Sequence, residues 1–238
     1  MRLNRNPLRY GGQSYDSHEA PGIIVDLVEP GARVLDVGCG TGSITALIAS
    51  LKHAKVTGIE PDPSRAEVAR LRGIEVITGE FEHAAAELSA EFDVIVFADV
   101  LEHLYDPLDA LSTARQLLKP GGAVIVSVPN VAHWTVRRNL LLGRFDYQEV
   151  GIMDETHIRW FTRRTLHDLL EQGGFEWQVA HGSSGTWMPE YAHELPWKLL
   201  PAPIRKQGVR ALAKAWPTLF GCQHVVKAQL ASKPANAP

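Results

Sequence analysis

The 238-residue sequence has only two cysteines, Cys39 and Cys222, too few for a disulfide framework. A reducing compartment fits that count best, and the expected location is cytoplasmic. No apolar run approaches the roughly 20 residues that span a bilayer. The N-terminal Met1-Arg2-Leu3-Asn4-Arg5-Asn6-Pro7 is basic but has no apolar stretch behind it, so neither secretion nor membrane spanning is expected. Repeats and low-complexity blocks are missing too, apart from an Ala/Pro tail from Ala231 that is expected to fray. Acidic residues stop at Glu194, while Lys198, Arg205, Lys206, Arg210, Lys214, Lys227 and Lys233 follow, in a chain whose net charge is −3. That basic end reads either as a surface for an anionic partner or as the solvated face of a lid helix.

What is present is enough for a full core: 45% of the residues are hydrophobic and 21% charged, which predicts one domain over 1–238 with insertions. The chain is organised around Val34-Leu35-Asp36-Val37-Gly38-Cys39-Gly40-Thr41-Gly42-Ser43. Apolar residues around one Asp read as a buried strand, and the Gly-x-Gly-x-Gly after it forces a turn. Ile44, Leu47, Ile48 and Leu51 then recur at helical spacing. Glycines at such a turn let the backbone approach a ligand closely, and the helix start offers unpaired N–H groups.

Strand and helix signals alternate onward. Strands are predicted at 55–60, 74–78, 92–97 and 123–128, with helices at 64–72 and after Leu104 through Leu118, the last stopped by Lys119-Pro120-Gly121-Gly122. A helix near 21–28, another at 164–172 and strands near 175–181 and 224–230 complete the pattern. This predicts an α/β fold with a mostly parallel sheet covered on both faces. The second strand ends in Glu60, 24 residues beyond Asp36, about where doubly wound folds set a carboxylate on ribose hydroxyls. Residues 131–160 and 183–220 interrupt the pattern where a substrate lid would sit; the second is rich in Trp and Pro. Residues 1–20 read as an N-terminal arm.

The run Leu35-Asp36-Val37-Gly38-Cys39-Gly40-Thr41-Gly42, with Leu117-Leu118-Lys119-Pro120-Gly121-Gly122 before a Val/Ile strand, resembles class I S-adenosylmethionine-dependent methyltransferases. The resemblance implies a doubly wound, Rossmann-like, seven-stranded sheet with helical lid insertions. It implies S-adenosylmethionine held by Asp36, Gly38, Cys39, Gly40, Gly42 and Glu60, with Glu80 and Phe81 at the adenine and Asp99 after the fourth strand. It also implies an arm that closes over the cofactor.

Asp99-x-x-Glu102-His103, with His157 ahead of Trp160-Phe161-Thr162-Arg163, resembles two metal-assisted groups. These are the catechol-type O-methyltransferases and the RNA 3′-terminal 2′-O-methyltransferases, both of which have Glu where this chain has Asp99. The implied metal set is Asp99, Glu102, His103 and His157, for Mg²⁺ or Mn²⁺. Without a metal, His157 or His103 serves as general base. His133 beside Trp134 reads either as a pocket member or as a satisfied lid histidine, and His53 and His83 as surface residues.

The expected activity is O-methylation of a small-molecule hydroxyl on a sugar, polyketide or phenolic in a biosynthetic pathway. The alternatives are RNA 2′-O-methylation, against which net charge and the lack of an RNA-binding extension argue, and a non-catalytic cofactor-binding partner. Residues 198–216, with Trp197, Leu199, Leu200, Ile204, Val209, Leu212 and Trp216 among cations, read as a surface for a membrane beside a lipid-linked substrate.

Overall fold

The computed structural model describes residues 11–89 and 91–231. The first ten residues of the expected arm, Lys233 and nearly all of the expected frayed tail lie outside them.

Helix α1 (Ala20–Leu27) leads into the alternating series: β1 (Arg33–Val37), α2 (Ser43–Lys52), β2 (Lys55–Glu60), α3 (Pro63–Leu71), β3 (Glu75–Thr78), α4 (Phe81–Ala85) and β4 (Phe92–Ala98). After a 3-10 turn at Leu101–His103 come α5 (Pro107–Leu117), β5 (Leu118–Pro129) and α6 (Trp134–Leu141). The chain finishes with α7 (Arg163–Gln172), β6 (Phe175–Gly182), α8 (Pro189–His193), α9 (Ala202–Ala215), α10 (Pro217–Phe220) and β7 (Gln223–Leu230).

Local chemistry sets several boundaries. Asp62 and Asp106 each accept two backbone N–H bonds at the starts of α3 and α5, where a proline follows at once. The predicted helix after Leu104 therefore begins only at Pro107. Thr162 and Thr165 close a reciprocal capping box on α7. The Gly121-Gly122 break falls inside β5, whose pairing with β4 jumps from Leu118 to Ala123.

The seven strands form one sheet in the order β3-β2-β1-β4-β5-β7-β6, parallel from β3 to β5, with β7 antiparallel to both neighbours. Alternation along β4 divides its side chains between two cores. Ile95 and Phe97 join Leu35, Leu111 and Leu166 on one face, while Val94 and Val96 join Ile24, Val34 and Ile125 on the other. Burying both faces explains why β4 and β5 read as near-continuous apolar runs.

The two interruptions of the pattern share a third, smaller core of Val136, Ile152, Met153, Met188, Tyr191 and Val209. His133 lies inside this lid, fully buried, with Nδ1 against the Thr135 hydroxyl at 2.8 Å and Nε2 against the Tyr191 hydroxyl at 3.2 Å. Burial pushes its pKa down to about 4. It is a satisfied lid histidine, and the cavity described below does not include it. His53 and His83 are exposed, as expected. The apolar residues of 198–216 divide: Val209 belongs to the lid core, whereas Leu199, Ile204 and Trp216 face solvent. Among the described residues no helix is long and apolar enough to cross a membrane.

Candidate functional site

The carboxyl ends of β1, β2 and β4 open into a cavity of about 940 Å³, at the upper end of the roughly 300–1,000 Å³ typical of ligand pockets. In an open parallel sheet this edge is where loops diverge and leave room for a ligand. Nine carboxylates line it against one arginine, Arg65, so its field favours a cationic ligand.

The floor is the glycine loop. Gly38 adopts φ +67°, and a Cβ there would lie 2.8 Å from Cγ2 of Val100. Gly40, at φ +57°, has no atom within 4 Å of where a Cβ would stand, so its bare backbone faces open space. Its N–H donates to Oε2 of Glu60 at 2.8 Å, while Oε1 accepts from the Asp62 N–H at 2.9 Å. Glu60 thus ties the loop to the end of β2, a duty the spacing argument did not anticipate. Each of its oxygens keeps a second lone pair for a ligand hydroxyl. Asp36 is buried beneath, with Oδ2 accepting from the Thr45 hydroxyl and Oδ1 without a partner. Burial pushes its carboxyl up to about 7; Thr45 opposes the shift and the Glu60 charge adds to it. Cys39 packs its sulfur over Gly58, and its N–H is taken by the Ile59 carbonyl. Burial raises its thiol pKa. Gly42, at φ +73°, abuts Ala69 rather than the cavity.

Glu80 is exposed on one wall and Phe81 is buried beside it, edge-on to Phe97 at 5.7 Å. On the other side Glu19, just ahead of α1, accepts from the Ser184 and Thr186 hydroxyls and from the Gly185 and Thr186 N–H groups. That carboxylate fastens residues 184–186 to the arm. Neither Glu19 nor this loop stood out in the sequence, because a carboxylate 165 residues from its partner leaves no local pattern.

At the mouth, Glu102, His103 and His157 converge, with one ligand atom from each within 4.8 Å of the others. The Glu102 side chain is buried and both its oxygens lack a hydrogen-bond partner. Burial first, then the Asp99 and Asp154 charges, push its carboxyl well above the usual range. The two imidazoles sit 4.9 Å apart. Nδ1 of His103 lies 3.1 Å from the Thr156 carbonyl and Nδ1 of His157 3.1 Å from the Ile152 carbonyl. A carbonyl only accepts, so Nδ1 carries the proton, and a neutral ring so held has its lone pair on Nε2. The backbone fixes this meeting: the Glu102 carbonyl accepts from the N–H groups of Ile158 and Arg159, and the Arg159 side chain donates to the Leu104 and Tyr105 carbonyls.

Asp99 departs from the fourfold metal set. Its residue is left-handed at φ +55°, and its carboxylate accepts from the Ser127 hydroxyl at 2.9 Å and, through both oxygens, from the Gln223 amide at 2.7 Å. With both oxygens bonded to Gln223, it is excluded from the cluster that Glu102, His103 and His157 form. It remains on the cavity wall.

Residues 13–179 match a family model described as a methyltransferase domain. A ubiquinone biosynthesis O-methyltransferase of Xanthomonas campestris pv. campestris is 41% identical over 107 residues, 42% of this chain and 44% of that protein. Another of that description, from Ruegeria pomeroyi, is 34% identical over 165 residues, 61% of this chain and 60% of its own. The chain therefore spans roughly half the length of these relatives. Among solved structures, a possible histamine N-methyltransferase from Thermotoga maritima superimposes with a TM-score of 0.59 at 22% identity, covering 88% of this chain and 87% of that one. At that identity the likeness concerns the fold.

Proposed function

We infer the reaction from one premise: the chain belongs to the class I S-adenosylmethionine-dependent methyltransferases. Its cofactor is S-adenosylmethionine, and we propose that it methylates the oxygen of a small-molecule hydroxyl. A phenol with a neighbouring hydroxyl is the acceptor that best suits both the site and the relatives named for ubiquinone biosynthesis. The observation that carries this reading is the meeting of Glu102, His103 and His157 on the same cavity as the glycine loop.

The cofactor supplies an activated methyl carbon, so the chain has to align an acceptor oxygen and receive its proton. Asp36, Gly38, Gly40 and Glu60 hold the cofactor's amino-acid and ribose parts in this proposal, and Glu80 and Phe81 flank its adenine. The Nε2 lone pair of His157 or His103 takes the hydroxyl proton. Glu102 gives a second route. Burial disfavours the charge on Glu102 unless a counter-charge sits beside it, and one carboxylate with two imidazoles suits Mn²⁺ better than the oxygen-seeking Mg²⁺. A divalent ion held by Glu102, His103 and His157 would lower the pKa of the acceptor hydroxyl.

The test is calorimetric titration of metal-stripped protein with S-adenosylhomocysteine, followed by radiolabelled methyl transfer to catechols, simple phenols, hydroxyl-bearing sugars and RNA oligomers, with and without Mn²⁺. Binding of the product together with methylation of a catechol, lost in His157→Ala, is expected. Product binding with no acceptor methylated would favour a partner protein, and methylation of RNA alone would replace the proposed acceptor.

A further inference from the structure

A second recess lies on the other side of the arm, and its charge is opposite to that of the cofactor cavity. It is an open cleft of about 580 Å³ between His18 and α9, lined on the helix by Lys206, Gln207, Arg210 and Lys214. The spacing i, i+4, i+8 stacks the three cations on one helical face, where like charges repel. At about 1.5 Å per residue the ladder is roughly 12 Å long.

Little on the protein neutralises it. Among the described residues neither Lys206 nor Lys214 has a carboxylate within ion-pair distance. Arg210 holds one carboxylate, Asp16 at 2.6 Å, and its Nε is buried with no partner. The chain has no Asp or Glu beyond Glu194. The cleft therefore gathers two unpaired ammonium groups, the Arg210 guanidinium held by Asp16, and the Gln207 amide beside an imidazole.

We propose that this cleft binds a phosphate-bearing anion of about diphosphate size. A ladder of that length exceeds the reach of a single carboxylate, whereas linked phosphates present several strong acceptor oxygens to successive cations. The acid-lined cofactor cavity repels the same ligand. The anion is either a soluble diphosphate ester or the neighbouring phosphates of an anionic lipid surface, which share this chemistry. The proposal stands independently of the methyl-transfer reading.

The experiment uses the full chain at low ionic strength, where exposed charges are least screened. Inorganic pyrophosphate is titrated by calorimetry, and co-sedimentation is measured with phosphatidylglycerol-containing and pure phosphatidylcholine vesicles. Lys206→Ala/Lys214→Ala is compared with Arg144→Ala/Lys198→Ala, which removes the same charge from exposed positions outside the cleft. Pyrophosphate binding weakened at least tenfold by the first pair and less than twofold by the second supports a soluble phosphate ester. The same variant dependence seen only with phosphatidylglycerol vesicles supports a lipid phosphate. Absence of both kinds of binding, or equal weakening by the two pairs, overturns the proposal.

Discussion

Replacing Asp36 by Asn tests whether the cavity floor is held ready at a cost to the ligand-free protein. The carboxyl stands at about 7 in the folded chain, against an ordinary value near 4. Between those two values the folded state keeps a proton that the unfolded chain has released, so stability falls as pH rises through the window and levels off above 7. Three pH units at about 1.4 kcal/mol each come to about 4 kcal/mol. Asn preserves an acceptor for the Thr45 hydroxyl but puts an amide where Oδ1 has no partner, which costs about 1–3 kcal/mol. Asp36→Asn is therefore expected to be less stable than wild type near pH 4, equal at about pH 5 to 6, and more stable by roughly 1–3 kcal/mol at pH 8. Urea unfolding of both ligand-free proteins from pH 4 to pH 8 measures the difference, in which Glu102 and Asp99 cancel because both chains carry them. Parallel curves without a crossing would refute the reasoning.

Glu60→Gln leaves one carbonyl oxygen for two N–H donors, those of Gly40 and Asp62, and should weaken S-adenosylhomocysteine about 10- to 100-fold by calorimetry; unchanged affinity would place the ribose elsewhere. Gly38→Ala combines a left-handed φ with a 2.8 Å approach to Val100 and should lose about 1–3 kcal/mol, part of it regained in the Gly38→Ala/Val100→Ala pair. A single variant that melts with wild type would contradict the close approach. Glu19→Ala strips the acceptor from Ser184, Gly185 and Thr186 and should speed amide exchange at Gly185 and Thr186 about tenfold or more, as about 1–3 kcal/mol of local stability is lost. Exchange at the wild-type rate would mean the loop is held by something else.

The sheet was legible because its signals are local. Buried parallel strands leave apolar runs, glycines mark the turns where side chains would collide, and Asp or Thr ahead of Pro or Arg starts a helix. The cavity floor shared that legibility, since Asp36, the glycines and Glu60 fall within 25 residues of one another. The mouth was legible only by residue type. Nothing local to Asp99 shows that Gln223, 124 positions later, occupies its carboxylate, so a fourfold cluster was expected where three groups meet. Glu19 escaped for the same reason, because its meaning depends on which distant segment faces it, whereas the cations of α9 stood out in the sequence as a basic stretch without acids.

The place of β7 in the sheet has a consequence for how the protein is made. This strand follows the other six in sequence yet lies between β5 and β6, and its first residue, Gln223, completes the bonds of Asp99. Once residue 200 has been added, β1 to β5 and an unpaired β6 exist, with the backbone N–H and C=O groups along the facing edges of β5 and β6 still without their β7 partners. During synthesis those edges can pair with other nascent chains until residue 230 emerges. β7 therefore closes the sheet and completes the site only after its six companion strands have been made.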